Sequence, residues 1–300
     1  MKPTTRKPVD YIDQAAIAKL VGDPQVSAQA MKGTISGYHR SSHKGSSVEF
    51  AEYREYSPGD DLKRLDWRVL GRTERFYLKE FEADTNLGCH FLLDSSASMN
   101  FGNEISKFEY GKKIVATLSY LFLQQGDAVG MDLSKVNSSI TSSAKRNPAQ
   151  LNAILQALLQ ATTGGNQNIS SSIHQLAESS TMRSLIIIIS DFFDDADAIK
   201  QAIHHCKNRK HQLVLFHLLD QQEENFNFNR PTRFVDLENG NSLVSDPQSV
   251  RDEYLDALKI HISSIQQGCV ETQSSYHKIT THMSISDGLK TFATDPNFSR

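Results

Sequence analysis

The sequence lacks the features that typify secreted, zinc-binding and membrane-spanning proteins. It has only three cysteines, which lie far apart without Cys-x-x-Cys spacing, so neither a disulfide framework nor a zinc site is indicated. No segment approaches the roughly eighteen apolar residues that a transmembrane helix needs. The basic N-terminus, Met1 to Pro8, is followed by no apolar stretch of the kind found in signal peptides. We therefore predict a soluble, cytoplasmic protein without an integral membrane segment.

Charge bias and nucleotide-binding glycine motifs are also missing. The formal net charge is -3 and the pI is about 6.4, so the chain as a whole does not attract nucleic acid or anionic membranes. Neither Gly-x-x-x-x-Gly-Lys-Ser/Thr nor Gly-x-Gly-x-x-Gly occurs, which argues against a phosphate cradle. A locally basic stretch at residues 32–47 has no aromatic platform for single-stranded nucleic acid and is typical of a solvated linker. No nucleic-acid partner is predicted.

Apolar runs of strand length alternate with helical patterns along the chain. The run Leu185 to Ile189 is continuous and β-branched, as in a strand buried on both faces of a parallel sheet. Phe91 to Leu93 and Ala128 to Leu133 are further strand candidates, with helical spacings between them. This alternation predicts an α/β fold with a doubly wound, mostly parallel sheet. Such sheets bind ligands beyond the carboxyl ends of their strands, where the strand order reverses.

An Asp-x-Ser-x-Ser motif directly follows the strand candidate that ends at Leu93. Asp94, Ser96 and Ser98 place one carboxylate and two hydroxyls at the strand end. Mg²⁺ prefers about six oxygen ligands in octahedral geometry, and alternate residues of a short loop can supply several of them. A magnesium site is the functional interpretation. A serine-rich turn is the alternative that the pattern alone leaves open.

A second carboxylate, Asp191, closes the apolar run that starts at Leu185. If this strand and the strand that ends at Asp94 are neighbours where the strand order reverses, both carboxylates face one crevice. The alternative for Asp191 is a helix N-cap, because a helical pattern follows. We assign Asp191 to the site and the adjacent acidic pair, Asp194 and Asp195, to capping.

Residues 49–81 combine strand patterns with dense charge and the single tryptophan, Trp67. Arg54 lies in the first strand pattern, and Asp60 and Asp61 close a Ser-Pro-Gly-Asp turn. Arg–Asp ion pairs could clasp this segment against the sheet without any ligand. The alternative is a partner-binding surface anchored by the tryptophan. We take these four residues as candidate partner contacts and keep the clasp as the competing interpretation.

The motifs together resemble a known bacterial family, the domain-of-unknown-function family numbered fifty-eight. The resemblance extends over roughly residues 37–292, and the combination of motifs is specific although Asp-x-Ser-x-Ser alone is not. The residues that carry it are Arg54-x-Tyr56-x-Pro58-Gly59-Asp60-Asp61, Asp66-Trp67, Lys79-Glu80-Phe81, Asp94-x-Ser96-x-Ser98-Met99, Gly126-Asp127, Phe234-x-Asp236-Leu237-Glu238-x-Gly240 and Arg251-x-x-Tyr254.

The resemblance implies a von Willebrand factor A-like fold with a metal-ion-dependent adhesion site. In such sites an Asp-x-Ser-x-Ser loop, a threonine from a second loop and an aspartate from a third surround Mg²⁺. Asp94, Ser96 and Ser98 match the first element, and Asp191 matches the last. The place of the threonine is held by Gln167, whose amide oxygen could coordinate the metal or hold a water. The expected cofactor is Mg²⁺, with Mn²⁺, Ca²⁺ or a metal-free site as alternatives.

The predicted function is binding, without catalysis. Ligands that include neutral hydroxyls leave the metal electron-poor, so a partner's carboxylate can complete its coordination. The resemblance implies a MoxR-type AAA+ ATPase as partner and a role as an adaptor or chaperone component for an unknown client. The alternative is a Mg²⁺-dependent phosphoryl hydrolase with Asp94 as nucleophile. Such enzymes use Asp-x-Asp, however, and here Ser96 replaces the second carboxylate.

The predicted organisation has three parts. Residues 1–36 form an N-terminal helix and linker, residues 37–84 a β-rich extension that carries the Arg-x-Tyr-x-Pro-Gly-Asp-Asp motif, and residues 85–300 the α/β domain. Within the last part, helical spacing from Phe108 to Phe122 ends at a glycine stop, Gly126. A hairpin is predicted over Arg233 to Val244, and a long helix over Val250 to Ile265.

Overall fold

The computed structural model describes residues 8–22, 48–55, 67–73, 76–83, 88–134, 142–164, 168–180, 183–228, 230, 232–235, 237 and 240–295. In chain order, the described helices and strands are α1 (Gln14–Gly22), β1 (Val48–Glu55), α2 (Trp67–Thr73), β2 (Tyr77–Ala83), β3 (Gly88–Leu93), α3 (Lys107–Gln124), β4 (Ala128–Leu133), β5 (Ser142–Lys145), α4 (Ala149–Gln160), α5 (Ile169–Ser179), β6 (Ser184–Ser190), α6 (Ala196–Asn208), β7 (Gln212–Leu219), α7 (Gln221–Asn225), β8 (Thr232–Val235), β9 (Ser242–Ser245), α8 (Pro247–Thr272), β10 (Ser275–Thr280) and α9 (Ile285–Ala293).

A six-stranded sheet lies at the centre of the described part of the chain, in the order β10-β7-β6-β3-β4-β5. Neighbouring strands run parallel except at one edge, where β5 is antiparallel to β4. This is the strand order of a doubly wound sheet, 3-2-1-4-5-6 when its strands are numbered along the chain. The predicted fold class is confirmed.

Both faces of the sheet are covered, as the isoleucine run of β6 predicts. Ile186 and Ile188 pack into one hydrophobic core, while Ile187 and Ile189 pack into a second core on the opposite face. All four side chains are fully buried. Alternate residues of a strand point to opposite faces, so a strand that is apolar throughout requires helices on both sides of the sheet.

The strand order reverses between β3 and β6, and this position determines where the site lies. The two strands are parallel neighbours, with Leu93 opposite Ile189. The chain leaves β3 toward β4 on one side of the sheet, whereas β6 continues to β7 on the other. Their carboxyl ends therefore diverge and leave a crevice. Asp94 and Asp191 both lie beyond these ends, so the sheet does place the two predicted carboxylates side by side.

Helix α3 crosses the sheet beneath this crevice at unusually short range. A Cβ atom added at Gly111 would lie 2.8 Å from Leu93 Cδ1 and 3.2 Å from Ile189 Cγ2. Glycine therefore allows the helix backbone to approach the ends of both strands. The helix ends as predicted, because Gly126 adopts a left-handed backbone with φ of +84°.

Smaller elements flank the sheet. Helix α1 packs into the same core as α9 through Ala16 and Leu20, and the Nζ of Lys19 donates a hydrogen bond to Ser286. Strands β1 and β2 pair as an antiparallel hairpin, and β8 pairs with β9 as predicted. The predicted long helix is also present and extends further in both directions, as α8. The division at residues 36 and 84 stays a prediction.

Candidate functional site

The loop after β3 holds the Asp94 carboxylate in a fixed orientation. The backbone N–H of Asp94 donates to the carbonyl of Ile189 across the strand ends at 2.9 Å. Its Oδ1 accepts the backbone N–H of Ser96 at 2.8 Å, which closes a tight turn within the motif. The side chain is almost completely buried. A carboxylate held from both ends in this way cannot rotate freely.

Neighbouring strands supply two more hydroxyls to the same carboxylate. Ser190, at the end of β6, donates from Oγ to Asp94 Oδ2 at 2.6 Å. Ser134, just after β4, donates from Oγ to Asp94 Oδ1 at 3.2 Å. These bonds compensate for part of the cost of burying the charge. Sequence reasoning missed both serines, although each directly ends or follows a predicted strand.

The two serines of the motif face each other. Ser96 Oγ lies 3.0 Å from Ser98 Oγ, close enough for a hydrogen bond. Ser96 is the N-cap of the short 3₁₀ turn Ala97–Asn100, and Ser98 lies within that turn. Ser96 is buried and Ser98 is partly exposed. The structure therefore brings together Asp94, Ser96 and Ser98, the three motif residues that the sequence singles out.

Asp191 lies within electrostatic range of this group. The pKa of Asp94 is raised to about 6, chiefly by burial and also by the nearby Asp191 carboxylate, while hydrogen bonds from Ser190 and Ser96 oppose both effects. Asp191 is itself only 1% exposed. Its Oδ1 accepts the N–H of Phe193 at 3.3 Å, so the carboxylate is directed into the crevice by the turn that follows β6. Asp195 caps α6, as predicted. Asp194 does not cap α6, because its Oδ2 accepts hydrogen bonds from the N–H and the hydroxyl of Ser170 in α5.

Asp191 also has a partner that the sequence analysis missed. The Nζ of Lys107, at the start of α3, lies 2.8 Å from Asp191 Oδ2 and 2.6 Å from Glu223 Oε1. Lys107 is completely buried, and its ammonium also lies 4.8 Å from the centre of the Phe193 ring. A signal was present, because Lys107 continues the buried stripe of α3 that includes Gly111, Ile114, Leu118 and Phe122.

Opposing charges keep this lysine ionised despite its burial. Burial alone would lower the pKa of Lys107, but the adjacent carboxylates of Asp191 and Glu223 outweigh it and raise the pKa. Burial raises the pKa of Glu223, and Lys107 opposes that shift. The other oxygen of Glu223 accepts the N–H of Asp220 at 2.8 Å and so caps α7. Lys107 is therefore bound to two carboxylates from different strand ends.

The second loop of the predicted site is described only at its beginning. Gly164 donates its backbone N–H to the carbonyl of Ser95 at 2.9 Å, so this loop reaches the Asp-x-Ser-x-Ser turn. Gln167 lies outside the described residues. Of the candidate partner contacts, Asp60 and Asp61 also lie outside them. The backbones of Arg54 and Trp67 belong to β1 and α2, while the side chains of both lie outside the described part.

An open cleft of about 540 Å³ borders the site on the side of Phe193. Helix α8 forms its other wall through Tyr254, Leu258 and His261. The imidazole Nε2 of His261 lies 2.9 Å from the carbonyl of Phe192, which ties α8 to the turn after β6. The ring of Phe193 is about half exposed at the edge of the cleft. The surface around the crevice is thus concave and partly apolar.

The oxygen atoms at the crevice fit a hard divalent cation. Among the described residues, no group of three or more histidine, cysteine, aspartate or glutamate side chains is arranged to hold a metal. A metal here would depend on the serine hydroxyls, which suit Mg²⁺ and do not suit softer transition metals. Asp94, Ser96 and Ser98 lie together, with both oxygens of Asp94 accepting hydrogen bonds, whereas Asp191 is paired with Lys107. In the part of the chain that is described, no helix has the length and apolar character needed to cross a membrane.

Uncharacterized proteins of two mycobacteria and of Bacillus subtilis are similar to this chain in sequence. The chain is 24% identical over 268 residues to the uncharacterized protein Rv1480 of Mycobacterium tuberculosis, with 83% of this chain and 84% of that protein covered. The uncharacterized protein Mb1516 of Mycobacterium bovis matches to the same extent. The uncharacterized protein YeaD of Bacillus subtilis is 28% identical over 107 residues, which cover 36% of this chain and 25% of that protein.

Solved structures with low similarity include BatB of Bacteroides thetaiotaomicron, at a TM-score of 0.44 and 17% identity, with 70% of this chain and 100% of that chain covered. An aerotolerance-related membrane protein of Bacteroides fragilis gives the same TM-score and identity, with coverages of 69% and 98%. The von Willebrand factor A domain of SpRpn10 gives a TM-score of 0.42 and 16% identity, with coverages of 71% and 97%.

The family comparison matches residues 52–263. This range includes the charged segment around Trp67 and all the strand ends that form the crevice, from Asp94 to Glu223. The resemblance inferred from the motifs extends over a wider range, residues 37–292. The family that it indicates is confirmed. The chain belongs to the family described as Protein of unknown function DUF58.

Proposed function

We propose that this protein is a non-enzymatic protein-interaction module, and that its partner binds at the crevice between the ends of β3 and β6. The observation that supports this most directly is the convergence of oxygen atoms there. Asp94, Ser96 and Ser98 are held together by hydrogen bonds, and Asp191 lies beside them. They stand at the reversal point of the sheet, the usual binding position in this class of fold.

Mg²⁺ at this crevice is part of the proposal. Asp94, Ser96 and Ser98 would hold the ion, with Asp191 and Gln167 as further ligands directly or through water. When bound, the metal would offer an open position to a partner's Asp or Glu carboxylate. Because Asp94 and Asp191 are both buried, the protein holds their carboxylates in place and limits the access of water to the ion. Affinity would then depend on a carboxylate presented by the partner.

The partner that we propose is a MoxR-type AAA+ ATPase, and the role is that of a cytoplasmic adaptor or chaperone component acting on a client protein. Membership of the family supports this choice, since the motifs that carry the resemblance lie within the matched range. The open cleft beside Phe193 adds a partly apolar surface next to the carboxylate position. Such a combination of an apolar surface and one charged anchor suits a reversible protein contact.

A pull-down of the ATPase from native lysate tests the proposal. Wild type, Asp94→Ala and the matched surface variant Asp256→Ala would each be used as bait, with Mg²⁺ and with a chelator. We expect the ATPase to be recovered only by wild type and Asp256→Ala, and only with Mg²⁺. Equal recovery by all baits in both conditions would show that binding does not use this crevice. Thermal melts of the three baits establish that each is folded.

The same preparations test the enzymatic alternative. A phosphoryl hydrolase with Asp94 as nucleophile would turn over a generic phosphomonoester in the presence of Mg²⁺ and lose that turnover in Asp94→Ala. We expect no turnover by wild type. Asp94-dependent turnover without recovery of any ATPase would replace the interaction module with the hydrolase as the assigned function.

The charged segment is proposed as a second contact surface for the partner, through Trp67, Arg54, Asp60 and Asp61. Trp67→Ala distinguishes this surface from an internal clasp. A surface role predicts an unchanged melting temperature with weaker recovery of the partner. A lowered melting temperature would instead assign the tryptophan to the clasp, because truncation of a buried aromatic side chain costs about 3–5 kcal/mol.

A further inference from the structure

The buried ammonium of Lys107 pairs with the Asp191 carboxylate, which the crevice would otherwise offer to a ligand. Lys107 Nζ contacts Asp191 Oδ2 at 2.8 Å and Glu223 Oε1 at 2.6 Å, and its side chain is 0% exposed. The rings of Phe101 and Phe193 flank it at 5.8 and 4.8 Å. Solvent screens these contacts only weakly, because the side chain of Asp191 is 1% exposed and that of Glu223 is 13% exposed.

A cation at Asp94, Ser96 and Ser98 would meet this lysine through Asp191. The Asp191 oxygen that accepts the hydrogen bond from the ammonium is a weaker ligand for a second cation, and the two positive charges repel each other. Asp191 would thus serve two cations, one built into the chain and one from solution. Glu223 changes the balance, because it gives Lys107 a second counter-charge at an even shorter distance.

We propose that Lys107 is a built-in competitor for Asp191, and that Glu223 retains the lysine when a metal ion takes Asp191. This inference rests on the proposed magnesium site. The charges are consistent with it. Asp94, Asp191 and Glu223 contribute three negative charges when ionised, and Lys107 contributes one positive charge. The net charge of the group is then −2, which a divalent cation would neutralise. The site is therefore one whose metal affinity is set by an internal lysine.

Opposite effects of two substitutions test this competition. Lys107→Met removes the competitor, so the affinity for Mg²⁺ should rise by about tenfold, within the usual range for coupled sites. Glu223→Gln removes the alternative counter-charge, so Lys107 depends on Asp191 alone and the affinity should fall severalfold. In the double variant the effect of Glu223→Gln should disappear, because no lysine remains to be retained. A purely structural ion pair would give the two single variants the same signs through unscreened charge alone, but its effects would add in the double variant, so the disappearance of the Glu223→Gln effect is what identifies competition.

The measurement is calorimetric titration of the full chain with MgCl₂ after chelator treatment. Lys112→Met is the matched control, because Lys112 is also buried in α3 but bonds to Glu109 and the Ala161 carbonyl, away from Asp191. Its affinity for Mg²⁺ should equal that of wild type. If Lys107→Met does not fold, Lys107→Gln, which removes the charge but keeps a hydrogen-bond donor beside the two carboxylates, takes its place in the single and the double variant.

Asp94→Ala separates failure of this inference from failure of the magnesium site. Mg²⁺ binding that depends on Asp94 but is unchanged in the Lys107 and Glu223 variants would overturn the competition and leave the site intact. Weaker binding in Lys107→Met would also overturn it. If no variant, including wild type, binds Mg²⁺, the proposed metal site and this inference both fail, while the protein-interaction proposal can still be tested through the pull-down.

Discussion

The contribution of Lys107 to folding can be measured independently of any metal. Lys107→Met replaces the ammonium with an apolar group of similar length and leaves Asp191 and Glu223 buried without their cation. Removal of one partner from a buried ion pair typically costs about 3–5 kcal/mol. Glu223 retains slight exposure, at 13% of its side chain, and a hydrogen bond from Asp220, so we expect a loss near the lower limit, about 3 kcal/mol.

Urea unfolding at neutral pH, followed by circular dichroism in the presence of chelator, gives the free energy of unfolding. Lys19→Met is the control, because Lys19 is 65% exposed and lies 3.9 Å from Asp287, an arrangement worth less than about 1 kcal/mol. The deficit of Lys107→Met should shrink in acid, where protonation removes the unpaired negative charges. A difference from wild type below about 1 kcal/mol would refute the argument that this ion pair is shielded from solvent.

Two further predictions concern packing and pH. Gly111→Ala should lower the free energy of unfolding by about 1–3 kcal/mol, because the added Cβ would lie 2.8 Å from Leu93 Cδ1. Gly71→Ala is the control. Its added Cβ would meet no atom of the described residues within 4 Å outside its own helix, so this variant should be neutral or stabilising in the same assay. Burial raises the pKa of Asp127 from 3.8 to about 6, and Arg146 opposes this shift. Between these two values the native state therefore binds more protons than the unfolded state, so the free energy of unfolding falls as pH rises from 3.8 to about 6. Asp127→Asn should remove about 1 kcal/mol of that fall, after allowance for partial exposure, and an unchanged pH profile of unfolding would contradict the assignment.

The sheet was predictable because its strands carry unusually clear patterns. The run from Leu185 to Ile189 is apolar at every position. A strand needs such a run only if both of its faces are covered, and the structure has a hydrophobic core on each face of the sheet. The motif ending at Ser98 and the carboxylate of Asp191 were identified because each follows such a strand. Parallel strands align their carboxyl ends, so sequence position was enough to predict proximity in space.

Lys107 and Glu223 were not predicted, for a physical reason. A lysine in an apolar stripe is usually read as a solvated end position, since its long stem can carry the charge to water. Whether it is buried depends on counter-charges from elsewhere in the chain. Glu223 lies in a five-residue helix, where the Asp220–Glu223 capping box indicates a helix start and not a counter-charge for a distant lysine. Helix α5 was not predicted although Ile169, Ile173 and Leu176 have helical spacing, because the three residues after Ile169 are serines, which favour caps and turns over helix interiors.

The contacts of Lys107 also bear on the kinetics of folding. They join residues 84 and 116 positions apart in the sequence, so they can form only after β3, β6 and β7 have taken their places in the sheet. If contacts of such long range are still absent in the transition state for folding, they mainly determine how slowly the native state opens. The triad of Lys107, Asp191 and Glu223 would then lower the rate at which the crevice opens without raising the rate at which it forms.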